Sequence, residues 1–437
     1  MTTVSFAQRL DEARSQLQEG HPQRAYALLH PVFEQVDLPQ EPDSLASALA
    51  VFAEVSMAIA GPDFSKLAQA AADAVDNVGT LFALGYECIE QQLWGPAACV
   101  LERARTLAPG DVAVLGELVS ALESDGRHGT ARDRLRQAPA LLGEHFELRF
   151  QLAYNTLLVG DIAGAKSEAG ALGSPQGPDQ TALKGTLDAM LARASAIGPV
   201  APLDTQDLRG WHFVSSGGLL LHLSPLGFHD GMNGRYAMTQ DSAVRCRQGL
   251  LRVHAVLDEW DAVPERVLLL PDQDSHVLGV AAAAMFGVDA QPFEEGVAGL
   301  IVAYDLSTLH PSTPAAVAHH HPDQVLFAHA TCWTEPPPCV ADLTTYLYAA
   351  NVPPGSEPNA GGTAPRLADT SDPQTELSVQ TILDAIVDDD PDELPSDALA
   401  RVVEFAEVAR SLSAASASEG LRPRMWDGGP VRSERFG

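Results

Sequence analysis

Leu84, Leu118 and Leu152 stand 34 residues apart, and Ala97, Ala131 and Ala165 keep the same step. Two independent positions holding one period through three copies constrain the fold more than anything else in the chain. Self-similarity on this scale marks an array of stacked units. Twelve residues separate each Leu from its Ala, and they pass through the turn-forming runs QQLWGP, ESDGRHG and LLVGDIAG. Each copy therefore reads as a helical hairpin. The Leu fills the space between the two helices of a unit, and the Ala opens the second helix and lets two backbones approach. A Pro past the second helix, Pro109 in the first copy, stops it. One such hairpin cannot bury its apolar face, so a core exists only where neighbours stack.

In order and spacing, Leu84, Gly85, Ala97, Leu101, Ala104 and Pro109 resemble the tetratricopeptide repeat. The second copy keeps Leu118, Ala131, Leu135 and Ala138, and the third keeps Leu152 and Ala165. Cys88 stands where that family usually has an aromatic, and Val119 and Ala153 replace the Gly. Earlier, EGHPQRAYALLHPVF carries Ala25, seventy-two residues before Ala97, which leaves room for one irregular unit around 42–73. The resemblance covers about 1–195, most strongly 78–172. It implies an α-solenoid whose groove holds another protein or peptide, a non-enzymatic interaction or scaffold role. Capture of a partner's C-terminal carboxylate would need basic or amide side chains on the first helix of a unit, and TLFALGYEC offers none.

Beyond GSPQGPDQ (173–180) and one more helix to about 195, AIGPVAPLDTQDL reads as a linker. From Trp211 the texture changes. WHFVSSGGLLLHLSP reads as strands around Gly-Gly, 242–260 as a helix, RVLLLP as a buried strand and SHVLGVAAAAMFGV as a helix. GLIVAYDLS and QVLFAHAT read as further buried strands, with STPAAVAHHHP a short helix between them. Strands that alternate with helices and are apolar on both faces predict a mostly parallel sheet. The expected fold class is multidomain α plus α/β. It comprises a tetratricopeptide-like helical repeat domain over 1–195, an α/β domain over 205–352, and an acidic linker with two short helices and a mobile tail over 353–437.

Open α/β sheets bind ligands at the C-terminal ends of their strands. Asp272, Asp274, Ser275 and His276 follow RVLLLP, and Asp305, Ser307 and Thr308 end GLIVAYDLS. Asp272, Asp274, Ser275, Asp305, Ser307 and Thr308 are the candidate ligand-binding residues. Ser275 or Asp274 serves equally as a helix N-cap. The two strand ends weakly resemble a degenerate phosphoribosyltransferase-type fold, which implies a nucleotide- or sugar-phosphate-handling domain regulated by the solenoid. Only Asp305 stands where that family usually has two acids, and Leu309 replaces an expected Gly. No lysine follows Lys184, so only arginines such as Arg235, Arg245 and Arg247 could neutralise a pyrophosphate.

His319, His320, His321, His329, Cys332 and Cys339 gather in one stretch. The two Cys are seven apart across a Pro-rich loop, and three consecutive His on a helix diverge, so no metal site is expected. Nor is any cofactor. GFHDGMNGRYAMTQDS (227–242) reads as a long loop with a His-Asp pair, and no nucleophile is placed beside a base. No catalytic residues are assigned.

The net charge of −31 argues against nucleic acid and anionic membranes as partners, since both attract basic surfaces. MTTVSFAQRLDEARSQLQEG lacks the pattern of a signal peptide, and no run of eighteen apolar residues occurs. Five scattered cysteines predict no disulfide framework. A cytoplasmic setting is the expectation, and the wealth of Ala, Gly, Pro and Arg is the composition of a high-GC bacterial genome.

Overall fold

The computed structural model describes residues 5–227, 231–356, 367–369, 372–387, 394–417, 419–423 and 429–431. The chain forms two compact units, Met1–Lys184 and Gly185–Gly437.

The first unit is built of antiparallel helical hairpins: α1 (Phe6–Gln18) with α2 (Pro22–Phe33), α3 (Pro42–Ile59) with α4 (Pro62–Asp73), and α5 (Val78–Glu90) with α6 (Trp94–Leu107). Next come α7 (Val112–Ser124) with α8 (His128–Arg136), a short α9 (Pro139–Glu144), and α10 (Phe146–Leu158) with α11 (Ile162–Gly170). A longer helix, α12 (Gly177–Ile197), follows. The 34-residue step is visible in the helices themselves. First helices begin at 78, 112 and 146, and second helices at 94, 128 and 162. Asn77 and Asp111 cap α5 and α7, each side chain accepting two backbone N–H groups of the first turn. The pair α3 and α4 occupies the interval left for an irregular unit.

Leu84, Leu118, Leu152, Ala97, Ala131 and Ala165 are all buried, as are Leu101 and Ala104. Gly85 lets α5 approach α6: a Cβ there would lie 2.5 Å from Cγ of Leu101. Pro109 is exposed just past the end of α6. Among the described residues one helix, α3, is long and apolar enough by length and composition to cross a membrane, although Ser and Glu interrupt its apolar run. Its Leu45, Leu49, Phe52 and Val55 are buried, and Phe52 packs on Phe33 and Phe64 at ring distances of 5.3 and 5.7 Å. Here it serves as the core helix of a hairpin.

In the second unit, α13 (Leu208–Ser216) stands where WHFVSS suggested a strand. Asp207 caps it by accepting the N–H of Gly210, and Gly217 at φ +79° ends it, so local capping outweighs the apolar run. Then come β1 (Leu219–Leu220), β2 (Tyr236–Gln240), α14 (Ala243–Glu259), β3 (Arg266–Leu269), α15 (Gln273–Phe286), β4 (Asp289–Pro292) and β5 (Gly299–Asp305). After α16 (Pro314–Val317) follow β6 (His319–His320), β7 (Gln324–Cys332) and β8 (Leu343–Val352). The last elements are α17 (Pro373–Asp384), α18 (Leu399–Ala409) and β9 (Gly420–Leu421).

The main sheet is parallel throughout, in the order β4-β3-β5-β7-β8, with β1 and β2 both on the outer side of β8. β5 and most of β7 are buried, which explains their continuous apolar sequence. Gly279 of α15 makes room for Leu269 of β3, where a Cβ would meet Cδ2 at 2.7 Å. Beyond 353, α17 and α18 stand where two short helices were expected, and both join this unit: α17 packs on α14 and α15, and α18 on α14. Arg422 is buried in an ion pair with Asp342, and Gly429 lies against the indole of Trp211. The linker at 357–366 and the acidic run at 388–393 lie outside the described residues, as do His229 and Asp230 of the expected loop.

Candidate functional site

In the first unit, partly exposed positions of α5, α7 and α10 recur with the same step. Phe82, Gly116 and Phe150 form one row, and Tyr86, Ser120 and Tyr154 the next. Tyr86 is 47% exposed. Phe150 and Tyr154, one turn apart, stack at 5.9 Å, and the Tyr154 ring meets His128 edge-on. Carboxylates complete the surface. Burial, and then the charge of Glu90 on the neighbouring α5, push the Glu117 carboxyl above its ordinary range. Neither α5 nor α7 carries a Lys, Arg or His. The single Arg of α10, Arg149, is held by Glu168 at 2.8 Å. These first-helix faces are thus aromatic and acidic.

The strand ends of the second unit place the six candidate ligand residues differently from one another. Asp272 is the N-cap of α15, with Oδ1 accepting the Ser275 N–H at 3.0 Å. The Ser275 hydroxyl in turn accepts the N–H of Tyr304 at 2.9 Å. Asp305 accepts the Ser307 N–H at 3.0 Å and the Tyr348 hydroxyl at 2.5 Å, and burial raises its carboxyl to about 6. Ser307 Oγ accepts the N–H of Cys332 at 2.9 Å. Asp274 and Thr308 are exposed. Asp272, Ser275, Asp305 and Ser307 therefore tie loops to strands. The exception is Oδ2 of Asp272, which is buried with no hydrogen-bond partner among the described residues.

Next to that cap, a crevice of about 470 Å³ opens at the ends of β3 and β4, the position at which open α/β sheets take ligands. Leu270, Pro271, Phe293 and Leu367 give it apolar walls, and His276 and Thr313 are among its polar groups. The Thr313 hydroxyl is buried without a hydrogen-bond partner among the described residues. Among the described residues, no Lys or Arg lines the crevice. The arginines considered for a pyrophosphate have other engagements. Arg235 donates to the carbonyl of Val431 at 2.9 Å, Arg247 donates to that of Leu383, and Arg245 lies over the rings of Tyr236 and Tyr346.

A buried polar cluster that the sequence did not reveal lies between α14 and the strands. Asp241, just after β2, accepts from the Tyr304 hydroxyl at 2.9 Å and from Nε2 of His329 at 3.2 Å, with the Cys246 thiol at 3.6 Å. Burial alone would raise the Asp241 carboxyl. His329, the Ser242 N–H and Tyr304 hold it below its ordinary value instead. Gly249 of α14 leaves room for the imidazole, since a Cβ there would stand 2.7 Å from its Nδ1. The cluster can fix α14 against β5 and β7, and its Cys246 thiol is pushed well up by burial, so it is no nucleophile.

The six metal-type residues of 319–339 do not converge as a set. Cys332 neighbours the Thr334 hydroxyl, Cys339 points at the carbonyl of Val317, and His320 meets the carbonyl of Ala417. The expected helix through the three His ends at Val317, and His319–His320 form β6. Side chains two apart on an extended segment share a side, so His319 and His321 come together at 3.1 Å. Comparison with known proteins finds no matching family model and no matching curated protein.

Proposed function

We propose that this is a non-enzymatic, cytoplasmic binding protein whose tetratricopeptide-like array holds a basic segment of another polypeptide. The observation that carries the reading is the recurring first-helix face, aromatic at Tyr86, Phe150 and Tyr154 and acidic at Glu90 and Glu117. The Glu117 carboxylate, disfavoured by burial and by the charge of Glu90, is relieved by a cation, and Tyr faces attract guanidinium and ammonium groups. A free carboxylate terminus has no basic counterpart on α5 or α7. The test is fluorescence anisotropy with matched peptides, one alternating Arg with Leu and Tyr, the other replacing each Arg by Glu. The basic peptide should bind, weaken with added salt, and lose at least about tenfold in affinity with Tyr86→Ala or Glu117→Lys. Equal binding of both peptides, or variants that bind like the parent, would remove the reading.

A second reading is a small-molecule role for the α/β unit, supported by the crevice beside Asp272 and the unpartnered Thr313 hydroxyl. Its lining favours an uncharged, partly apolar ligand over a phosphate. A thermal-shift panel of nucleotides, phosphoribosyl compounds and neutral bases separates these. A true ligand in large excess stabilises by about 2–4 kcal/mol, and silence across the panel, together with unchanged behaviour of Thr313→Val, removes this reading.

A further inference from the structure

Where the β4–β5 crossover passes the start of β7, three side chains aim at one point. His319 Nδ1 lies 3.1 Å from His321 Nε2, and His321 Nε2 lies 3.4 Å from Oε1 of Glu295. All three donor atoms fall within 4.8 Å of one another. Ligands about 2.0–2.1 Å from a tetrahedral ion are separated by about 3.3–3.4 Å, close to the two distances seen. Behind the imidazole, Nδ1 of His321 faces Oε1 of Glu419 at 3.7 Å. A carboxylate behind a histidine whose other nitrogen points at a shared centre is the outer-shell arrangement that orients metal-bound imidazoles.

We infer that Glu295, His319 and His321 form a binding site for a divalent metal of the zinc class, with Glu419 orienting His321. A cation on the Nε2 side satisfies His319, His321 and Glu295 together and leaves the Nδ1 hydrogen for Glu419.

The backbone is shaped for this convergence. Glu294–Val297 closes a turn through the Val297 N–H and the Glu294 carbonyl, with Gly296 at φ +77°. His321–Gln324 closes another, with Pro322 second and Asp323 at φ +64°. Both follow the type II pattern, which needs a positive φ at its third residue. Buried Gln324 braces the first turn by donating to the carbonyls of Glu294 and Val297 at 3.4 and 2.7 Å. Gly296 also lies beneath the His321 ring, at 3.9 Å from where a Cβ would be. The Glu295 side chain is 55% exposed, so the site is open to an entering ion. Two imidazoles and one carboxylate suit Zn²⁺ and leave a coordination position for water. The site lies at the N-terminal edge of the strands, away from the crevice, and spans the crossover, β6 and the segment before β9. A bound ion would act as a clasp there.

The test uses the full-length, tag-free chain, treated with chelator, desalted and titrated with Zn²⁺ by calorimetry. One ion should bind per chain. Glu295→Gln, an exposed change that leaves the fold intact, and His321→Gln should each weaken binding at least about a hundredfold, and Glu419→Gln about tenfold. Co²⁺ loaded in place of zinc should give visible bands of a nitrogen–oxygen tetrahedral site with no thiolate charge-transfer band. Three results would overturn the proposal: no uptake by the parent chain, unchanged affinity in Glu295→Gln and His321→Gln, or a thiolate band placing the ion on cysteine.

Discussion

Asp397 and His222 are 175 residues apart in the chain, yet Nδ1 of His222 lies 2.7 Å from the Asp397 carboxylate. The same buried carboxylate takes an ion pair from Arg209 and lies 3.3 Å from Arg252. It also accepts the Leu223 N–H at 3.0 Å. A segment from the acidic end of the chain is thereby the counter-ion for two buried guanidinium groups. Burial alone would raise the Asp397 carboxyl, but His222 and the two arginines hold it below its ordinary value.

Removing that counter-ion should be costly. Asp397→Ala leaves Arg209 and Arg252 buried with their charge uncompensated, and a loss of about 3–5 kcal/mol is expected. Because the folded carboxyl has the lower proton affinity, its contribution is present above the unfolded value and fades as pH falls through the folded one. Urea unfolding of the parent and Asp397→Ala at neutral and acidic pH measures both effects. The difference between the two chains should shrink in acid.

Glycines at two helical positions should respond in opposite directions. Gly85→Ala gains up to about 1 kcal/mol in helix propensity, but its Cβ would stand 2.5 Å from buried Leu101, and overpacking costs about 1–3 kcal/mol. The clash wins, and the variant should be less stable. Gly116 of α7 has nothing within 4 Å of the added atom, so Gly116→Ala should stabilise by about 0.5–1 kcal/mol. Equal shifts in a thermal melt of the two variants would show the α5–α6 approach to be looser than described.

Glu123 should give the first unit a pH-dependent stability. Burial raises its carboxyl to about 7, despite the hydrogen bond from Asn155 and the nearby His128. A carboxyl raised in the folded state binds its proton more tightly there than when unfolded. Stability is therefore greatest below the ordinary glutamate range and falls as pH climbs towards 7, by at most about 3 kcal/mol. Denaturation midpoints between pH 4.5 and 7 should slope downward, and Glu123→Gln should flatten the slope.

All five cysteines are free and buried. Burial lifts Cys99 and Cys339 to about 12, and Cys88 and Cys246 well above a free thiol. The native chain should resist iodoacetamide at neutral pH, and all five thiols should react after unfolding, as counted by intact-mass spectrometry. Rapid labelling of the folded chain at any of these four would show that its site opens readily.

The sequence by itself determined what depends on neighbours along the chain. Hairpin boundaries were legible because Leu84, Ala97 and their counterparts follow the 34-residue step, and because caps such as Asn77 and Asp111 act within one turn. Buried strands such as β5 were legible because both their faces are apolar. Only the tertiary structure decided which polar groups meet. Asp241, Tyr304 and His329 lie on three separate elements, and a hydrogen bond between them has no spacing to read. Asp272 and Ser275 are candidate ligand residues in the sequence, and only the structure shows that one caps α15 and the other ties it to β5. His319 and His321 would diverge on a helix but share a side on the extended segment that begins with β6, whose pairing with β9, about a hundred residues later, accompanies that form. Periodicity is a local property written in every copy, whereas a polar constellation is fixed by the packing of distant segments.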